Sequence, residues 1–187
     1  RLRSYDLLKT GLANFYVESE KVKELKSKII KTIVLNKDNV SKIINQFSSE
    51  PKNDSVIEKN HSFIKKIFDH QTIEKVFEVL SELKHQGIEF AEHVMKELQL
   101  KSPTSLKITM KQILQAKNMT LEEDLIMEYR MVQKCQSSGD FYEGVRAMLV
   151  DKDRNPKWHP DSLSKVDDIW VNHFFEPLDK QDLKIKK

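Results

Sequence analysis

The sequence predicts a mainly α-helical chain with one short strand near its start. Three observations carry this. Apolar residues recur at spacings of three and four along most of the chain, helix start and stop signals punctuate those runs, and only residues 12–17 form a short β-prone segment.

The elements follow in order. Ser4 is placed to cap a short helix through Leu7 and Leu8, with Gly11 where a left-handed residue ends it. Residues 12–17 then form the strand. Val22, Leu25, Ile29, Ile30 and Ile33 repeat with helical period, lysines filling the opposite face, and Val40, Ile43, Ile44 and Phe47 do the same. The stretch "SSEPKNDS", residues 48–55, reads as a loop with the composition of a linker. Helices are expected over residues 56–68, 72–83 and 88–98. In "KSPTSLKITMKQIL", Ser102 caps a helix whose first position is Pro103, where a missing N–H costs nothing, and Leu106, Met110, Ile113 and Leu114 form the expected buried stripe. Thr120 and Glu123 form a capping box for a helix with an apolar line through Leu121, Leu125, Tyr129 and Val132. Asp140 and Glu143 suggest a similar box, for a helix expected to bury Phe141, Val145, Met148 and Leu149. There is no internal repeat.

Composition narrows the function. The 187 residues hold 39% hydrophobic and 33% charged residues, as a globular protein with a heavily solvated surface does, and no apolar run has transmembrane length. Net charge is +3, from 32 basic and 29 acidic residues of interspersed sign, which argues against a nucleic-acid surface. Residues 1–17 read poorly as a targeting peptide, and the start at Arg1 suggests a processed protein or a piece of a longer one, with any targeting segment upstream. One cysteine, Cys135, excludes an intrachain disulfide and points to a reducing compartment. Four glycines, no two adjacent, cannot build a phosphate-cradling or oxyanion-forming glycine loop.

The chemical candidates are weak taken singly. The six histidines show no metal-ligand spacing, so no metal site is expected. Cys135 reads as a semi-buried filler, and the serines, lacking a nucleophile elbow, read as caps. The paired carboxylates at Glu122–Glu123–Asp124 and Asp167–Asp168 are adjacent, so on a helix they diverge by about 100° and serve helix starts better than a shared substrate. Nothing in the residues alone assembles a catalytic site.

Four stretches taken together are more specific. "SPTSLKITMKQIL", "LEEDLIMEYRMVQKC", "DFYEGVRAMLVDKDRNPKW" and the ending "VNHFF...LDKQDLKI" resemble, in order and spacing, the C-terminal part of the hydroxyacyl-CoA thioester hydrolases of the crotonase (enoyl-CoA hydratase/isomerase) superfamily. "RLRSYDLLKTGLANFYVESEKV" is similar to the segment that follows the catalytic core in those enzymes. The resemblance is strong over residues 1–25 and 102–160 and weaker between. It implies the C-terminal helical portion of a crotonase-like α/β spiral fold. Residues 1–25 would be a junction to the catalytic core, 26–100 variable helices, and 101–187 a helical tail of the type shared in the family.

The family's oxyanion-hole glycines and its catalytic glutamate and aspartate lie upstream of the segment matching Arg1, so the resemblance implies no catalytic residue in this chain. It implies an acyl-CoA substrate in branched-chain amino acid (valine) breakdown, no cofactor beyond the CoA that is part of the substrate, and a mitochondrial matrix location. Implied partners are the upstream catalytic half of the same protein and, for self-association, another copy; nucleic acid and membrane are not among them. In crotonases a lysine just after the helix equivalent to residues 143–149 often reaches the nucleotide end of CoA. Lys152 matches it, with Met148 where phenylalanine is commoner, and Arg154 and Lys157 add positive charge nearby. Two alternatives stay open: a non-catalytic crotonase-like structural subunit, as in a mitochondrial ribosome, or another hydratase or isomerase of the superfamily.

Overall fold

A computed structural model describes residues 2–33, 36–51 and 55–185. The chain divides into two compact units, residues 1–65 and 66–187.

In the first unit, α1 (Ser4–Lys9) begins one residue earlier than Ser4 as a cap implies. Arg3 is the capping position, and its N–H donates to the Asp6 carboxylate at 2.9 Å. Asp6 is buried and also accepts from the Ser55 hydroxyl at 2.8 Å, tying α1 to the start of α4 (Val56–Lys59). The Arg3 amide leads the interactions that hold the Asp6 carboxyl below the ordinary aspartate range. Gly11, at φ +73°, takes the left-handed conformation expected of it.

The expected strand over residues 12–17 is absent. Ala13 N–H donates to Leu7 O and so helps close α1, and among the described residues the only pairing of the segment is an isolated antiparallel bridge of Val17 with Ser48. β-prone residues become a strand only when a partner backbone runs alongside. α2 (Val22–Ile30) packs on α3 (Lys37–Phe47), and Ile43 and Phe47 of α3 are buried as expected. The α2 stripe is not: Ile30 and Ile33 are exposed. Of the 48–55 loop, residues 52–54 lie outside the described residues. The helix expected over 56–68 is broken at Asn60 into α4 and α5 (His61–Phe68), and the unit boundary falls within α5.

The second unit is layered helices. α6 (Ile73–His85) opens on the Thr72 cap and buries Ile73, Val76, Val79, Leu80 and Leu83; it packs against α7 (Glu89–Gln99) and α8 (Pro103–Ala116). Ser102 caps α8 with Pro103 in its first turn, and Thr120 and Glu123 form the capping box of α9 (Leu121–Ser137), both as expected. The faces turned inward differ from the expected ones. One core cluster of this unit is Ile108, Met127, Met131, Val166, Val171 and Phe174, to which α11 (Asp168–His173) contributes. Ile113, Leu121, Leu125 and Val132 stay exposed. α8 and α9 each carry apolar residues on more than one side, and periodicity does not say which side meets a neighbour.

Candidate functional site

The strip from Ser137 to Trp158 combines an acidic helix start, an apolar stripe and a run of alternating charge. α10 (Gly139–Val145) begins it, followed by one π-helical turn, Arg146–Val150, in which Asp151 N–H donates to Arg146 O at 2.8 Å. Such turns are rare and concentrate at functional sites.

Asp140 and Glu143 do not cap the helix they start. Asp140 accepts from the Ser102 hydroxyl at 2.5 Å and from His159 N–H at 2.8 Å, joining α10 to the α8 cap and to the chain beyond Trp158. Glu143 turns to Arg146: its two carboxylate oxygens meet Nε and Nη2, each at 2.8 Å, and one of them also accepts from Lys157 N–H at 2.6 Å. The Arg146 bonds, then the Lys157 amide, pull the Glu143 carboxyl down to about 2.

Arg146 is the hub of the strip. Beyond Glu143, its Nη1 donates to Asp151 at 2.7 Å and to Asp153 at 2.8 Å, and Nη2 reaches the carbonyl of Asn155 at 3.4 Å. These carboxylates raise the guanidinium pKa further above its ordinary value, Glu143 first among them. Asp153 in turn accepts from Asn155 N–H at 2.9 Å, which is the first cause of its lowered pKa, with Arg146 second. Arg154 N–H closes the loop on Ala147 O at 3.0 Å.

Residues 151, 153 and 155 thus face Arg146. The residues between them, Lys152 and Arg154, have left-handed backbone, φ 58° and 54°, and are exposed. Neither side chain has an ion pair or hydrogen bond among the described residues. Lys152, the one binding residue expected from the sequence, therefore stands on a hydrogen-bonded loop as a cation without a partner among the described residues. The expected burial along this strip fails: Phe141, Met148 and Leu149 are exposed, as is Val150, while Ala147 is fully buried.

Trp158 fixes the far end. Its indole N–H donates to Leu100 O at 3.0 Å, and the ring crosses α10 at Gly144, where a Cβ would stand 3.3 Å from Cη2. Beside it opens a cleft of about 620 Å³, walled by Ser105, Cys135, Ser138, Phe141, Trp158 and Trp170 among others. Burial pushes the Cys135 thiol pKa up, which keeps it protonated and unreactive at neutral pH. No three metal-ligating side chains converge among the described residues. The hub role of Arg146 was not read from the sequence. Its only legible trace was the three-residue spacing from Glu143, one of many such pairs in the chain.

The model of the enoyl-CoA hydratase/isomerase family matches residues 1–175, and the chain belongs to that family. Within it, the chain is similar to mitochondrial 3-hydroxyisobutyryl-CoA hydrolases: 38% identical to that of Gallus gallus over 99% of this chain and 48% of the relative, and 36% identical to that of Homo sapiens over 98% and 48%. The crystal structure of a carnitinyl-CoA dehydratase from Mycobacterium thermoresistibile matches with a TM-score of 0.81 at 28% identity, covering 96% of this chain and 48% of that one. An enoyl-CoA hydratase structure from Rhodobacter sphaeroides 2.4.1, with a TM-score of 0.78 at 22% identity over 96% and 49%, shows a likeness of fold alone. The chain spans about half the length of the curated relatives it matches.

Proposed function

We propose that this chain is the C-terminal part of a mitochondrial hydrolase that cleaves 3-hydroxyisobutyryl-CoA to 3-hydroxyisobutyrate and free CoA in valine catabolism. The observation that carries the reading is the identity of up to 38% to the named hydrolases across 99% of the chain. In this reaction water adds to the thioester carbonyl, the C–S bond breaks, and the CoA sulfur leaves as a thiol. The glycines and carboxylates that would polarise the carbonyl and activate the water belong to the upstream half. CoA enters as part of the substrate, and no further cofactor is required.

What this chain supplies is cover and grip. The apolar residues left exposed along the strip, Phe141, Met148, Leu149 and Val150, are suited to pack on the upstream half beside the acyl-CoA pocket. Lys152, assisted by Arg154, is suited to meet the phosphates at the nucleotide end of the substrate, because an unpaired exposed cation gives up no existing partner to do so. Association with a second copy through the remaining exposed apolar residues belongs to the same reading.

The test is thiol release from 3-hydroxyisobutyryl-CoA by the complete protein in a mitochondrial-matrix buffer. Saturable turnover faster than with a crotonyl-CoA hydration assay supports the hydrolase. Hydration of the enoyl substrate without thiol release would assign a hydratase instead, and neither activity would assign a structural subunit.

A further inference from the structure

We propose that Arg146 is a positioning residue for the phosphate end of the substrate: it pairs with the acids of the 151–155 loop, which stay exposed but are neutralised, and so leaves Lys152 and Arg154 as the loop's unpaired cations. The inference rests on the acyl-CoA reading above and deepens it.

The argument begins with charge. Between residues 143 and 157 the chain carries three acids, Glu143, Asp151 and Asp153, and four cations, Arg146, Lys152, Arg154 and Lys157. Left to themselves, Asp151 and Asp153 would pair with Lys152 and Arg154, their immediate neighbours, and a phosphate approaching the loop would meet carboxylates as often as ammonium groups. The structure separates the signs. One guanidinium binds all three carboxylates, at 2.7–2.8 Å, and the Asn155 carbonyl at 3.4 Å. Only arginine does this: its five N–H donors lie in a fixed plane, whereas a lysine ammonium offers three donors at one point.

The backbone makes the same separation. Alternate residues turn to Arg146, and the two between adopt φ near +55°, a conformation unfavourable for residues with a Cβ and held here by bonds on either side. Glu143, kept ionised by these bonds, anchors the hub on α10, and its bond from Lys157 N–H fixes the loop's exit. Arg146 itself is a third exposed and its donors are spent on the loop, so it is not offered to the substrate. It acts through Lys152 and Arg154.

The experiment compares the complete protein with Arg146→Met, Arg146→Lys, and Arg146→Met combined with Asp151→Asn and Asp153→Asn, on the full CoA thioester and on the pantetheine thioester that lacks the nucleotide. Loss of the hub frees two carboxylates beside the phosphate. Arg146→Met is expected to raise KM for the CoA thioester about tenfold with kcat within about twofold, as uniform binding predicts, and to leave the pantetheine thioester unchanged. Arg146→Lys is expected to recover little, because it lacks the fork. The triple variant is expected to return KM to within about threefold of wild type, since the repelling acids are gone. A merely structural hub would show equal loss on both substrates and no rescue, and that result overturns the proposal. Lys152→Ala and Arg154→Ala separate the two readings. If they raise KM on the CoA thioester but the Arg146 variants do not, the positioning role fails and the CoA contact stands; if they have no nucleotide-dependent effect, both fall.

Discussion

Glu143 shows how much one residue in the strip is constrained. Its pKa lies at about 2, below the ordinary glutamate value, because Arg146 and the Lys157 amide bind its ionised form. A carboxylate with a depressed folded pKa stabilises the native state fully above its unfolded pKa, and that stabilisation is lost as pH falls through the folded value. The window therefore runs from the ordinary glutamate range near 4.5 down to about 2. Glu143→Gln is expected to lower the thermal midpoint at pH 7 and to have progressively less effect on acidification. Parallel midpoint curves for the two proteins over this window would show that Glu143 is not linked to stability. The contribution proposed for Lys152 is of the opposite kind, to binding alone. Lys152→Ala is expected to raise KM for the CoA thioester roughly three- to tenfold, or about 0.7–1.4 kcal/mol, with kcat little changed. The penalty should shrink in high salt, because an exposed ammonium–phosphate contact is screened.

At the scale of elements, the strip is stitched to its neighbours by helix ends. Ser102 is the clearest case. Its hydroxyl accepts from Ser105 N–H at 3.1 Å to cap α8 and donates to Asp140 at 2.5 Å to hold the start of α10, and the residue is buried. Replacing it with alanine removes a cap and leaves a half-buried carboxylate oxygen of Asp140 one donor short. A loss of about 1–2 kcal/mol is expected. Ser102→Gly, which retains a residue tolerated at helix starts, should recover only part of it. Equal stability of Ser102→Ala and wild type in urea would show that solvent replaces both bonds. α9 illustrates a different point. It buries Met127 and Met131 while Leu121, Leu125 and Val132, on its expected inner line, face outward. A helix with two apolar sides belongs between two layers, and one of those layers is not formed by the described residues.

The second unit has a core cluster, but much apolar surface lies outside it. Phe174 is the largest fully buried side chain among the described residues, packed with Ile108, Met127 and Val166 in one cluster, and Phe174→Ala is expected to cost about 3–5 kcal/mol, a large share of what a domain of this size has to spare. On the 187-residue chain by itself, exposed residues such as Leu121, Leu149, Val150 and Ile169 are expected to bind a hydrophobic dye strongly, and the signal should fall when the upstream half is supplied. The same chain is expected to release no thiol from 3-hydroxyisobutyryl-CoA above the uncatalysed rate. Turnover by the chain alone would place catalytic groups among its own residues and overturn the division of labour proposed for the two halves.

The sequence by itself determined the helical class, the caps at Ser102 and Thr120, the turn at Gly11 and the family, because each depends on local backbone chemistry or on a residue pattern read in order. It singled out the strip around Lys152, though only the family resemblance, and not the residues, distinguished that lysine from the chain's others. Three things were left to the tertiary structure. Residues 12–17 had strand propensity without a partner strand, a non-local requirement. The buried faces of α8 and α9 depended on which neighbours arrived, since both helices are apolar on more than one side. Asp140 and Glu143 carried the spacing of a capping box, yet their carboxylates found stronger partners in Ser102, His159, Arg146 and Lys157. Spacing along a chain specifies what a side chain can reach within its own helix; which bond it makes is settled by the donors that folding brings within 3 Å.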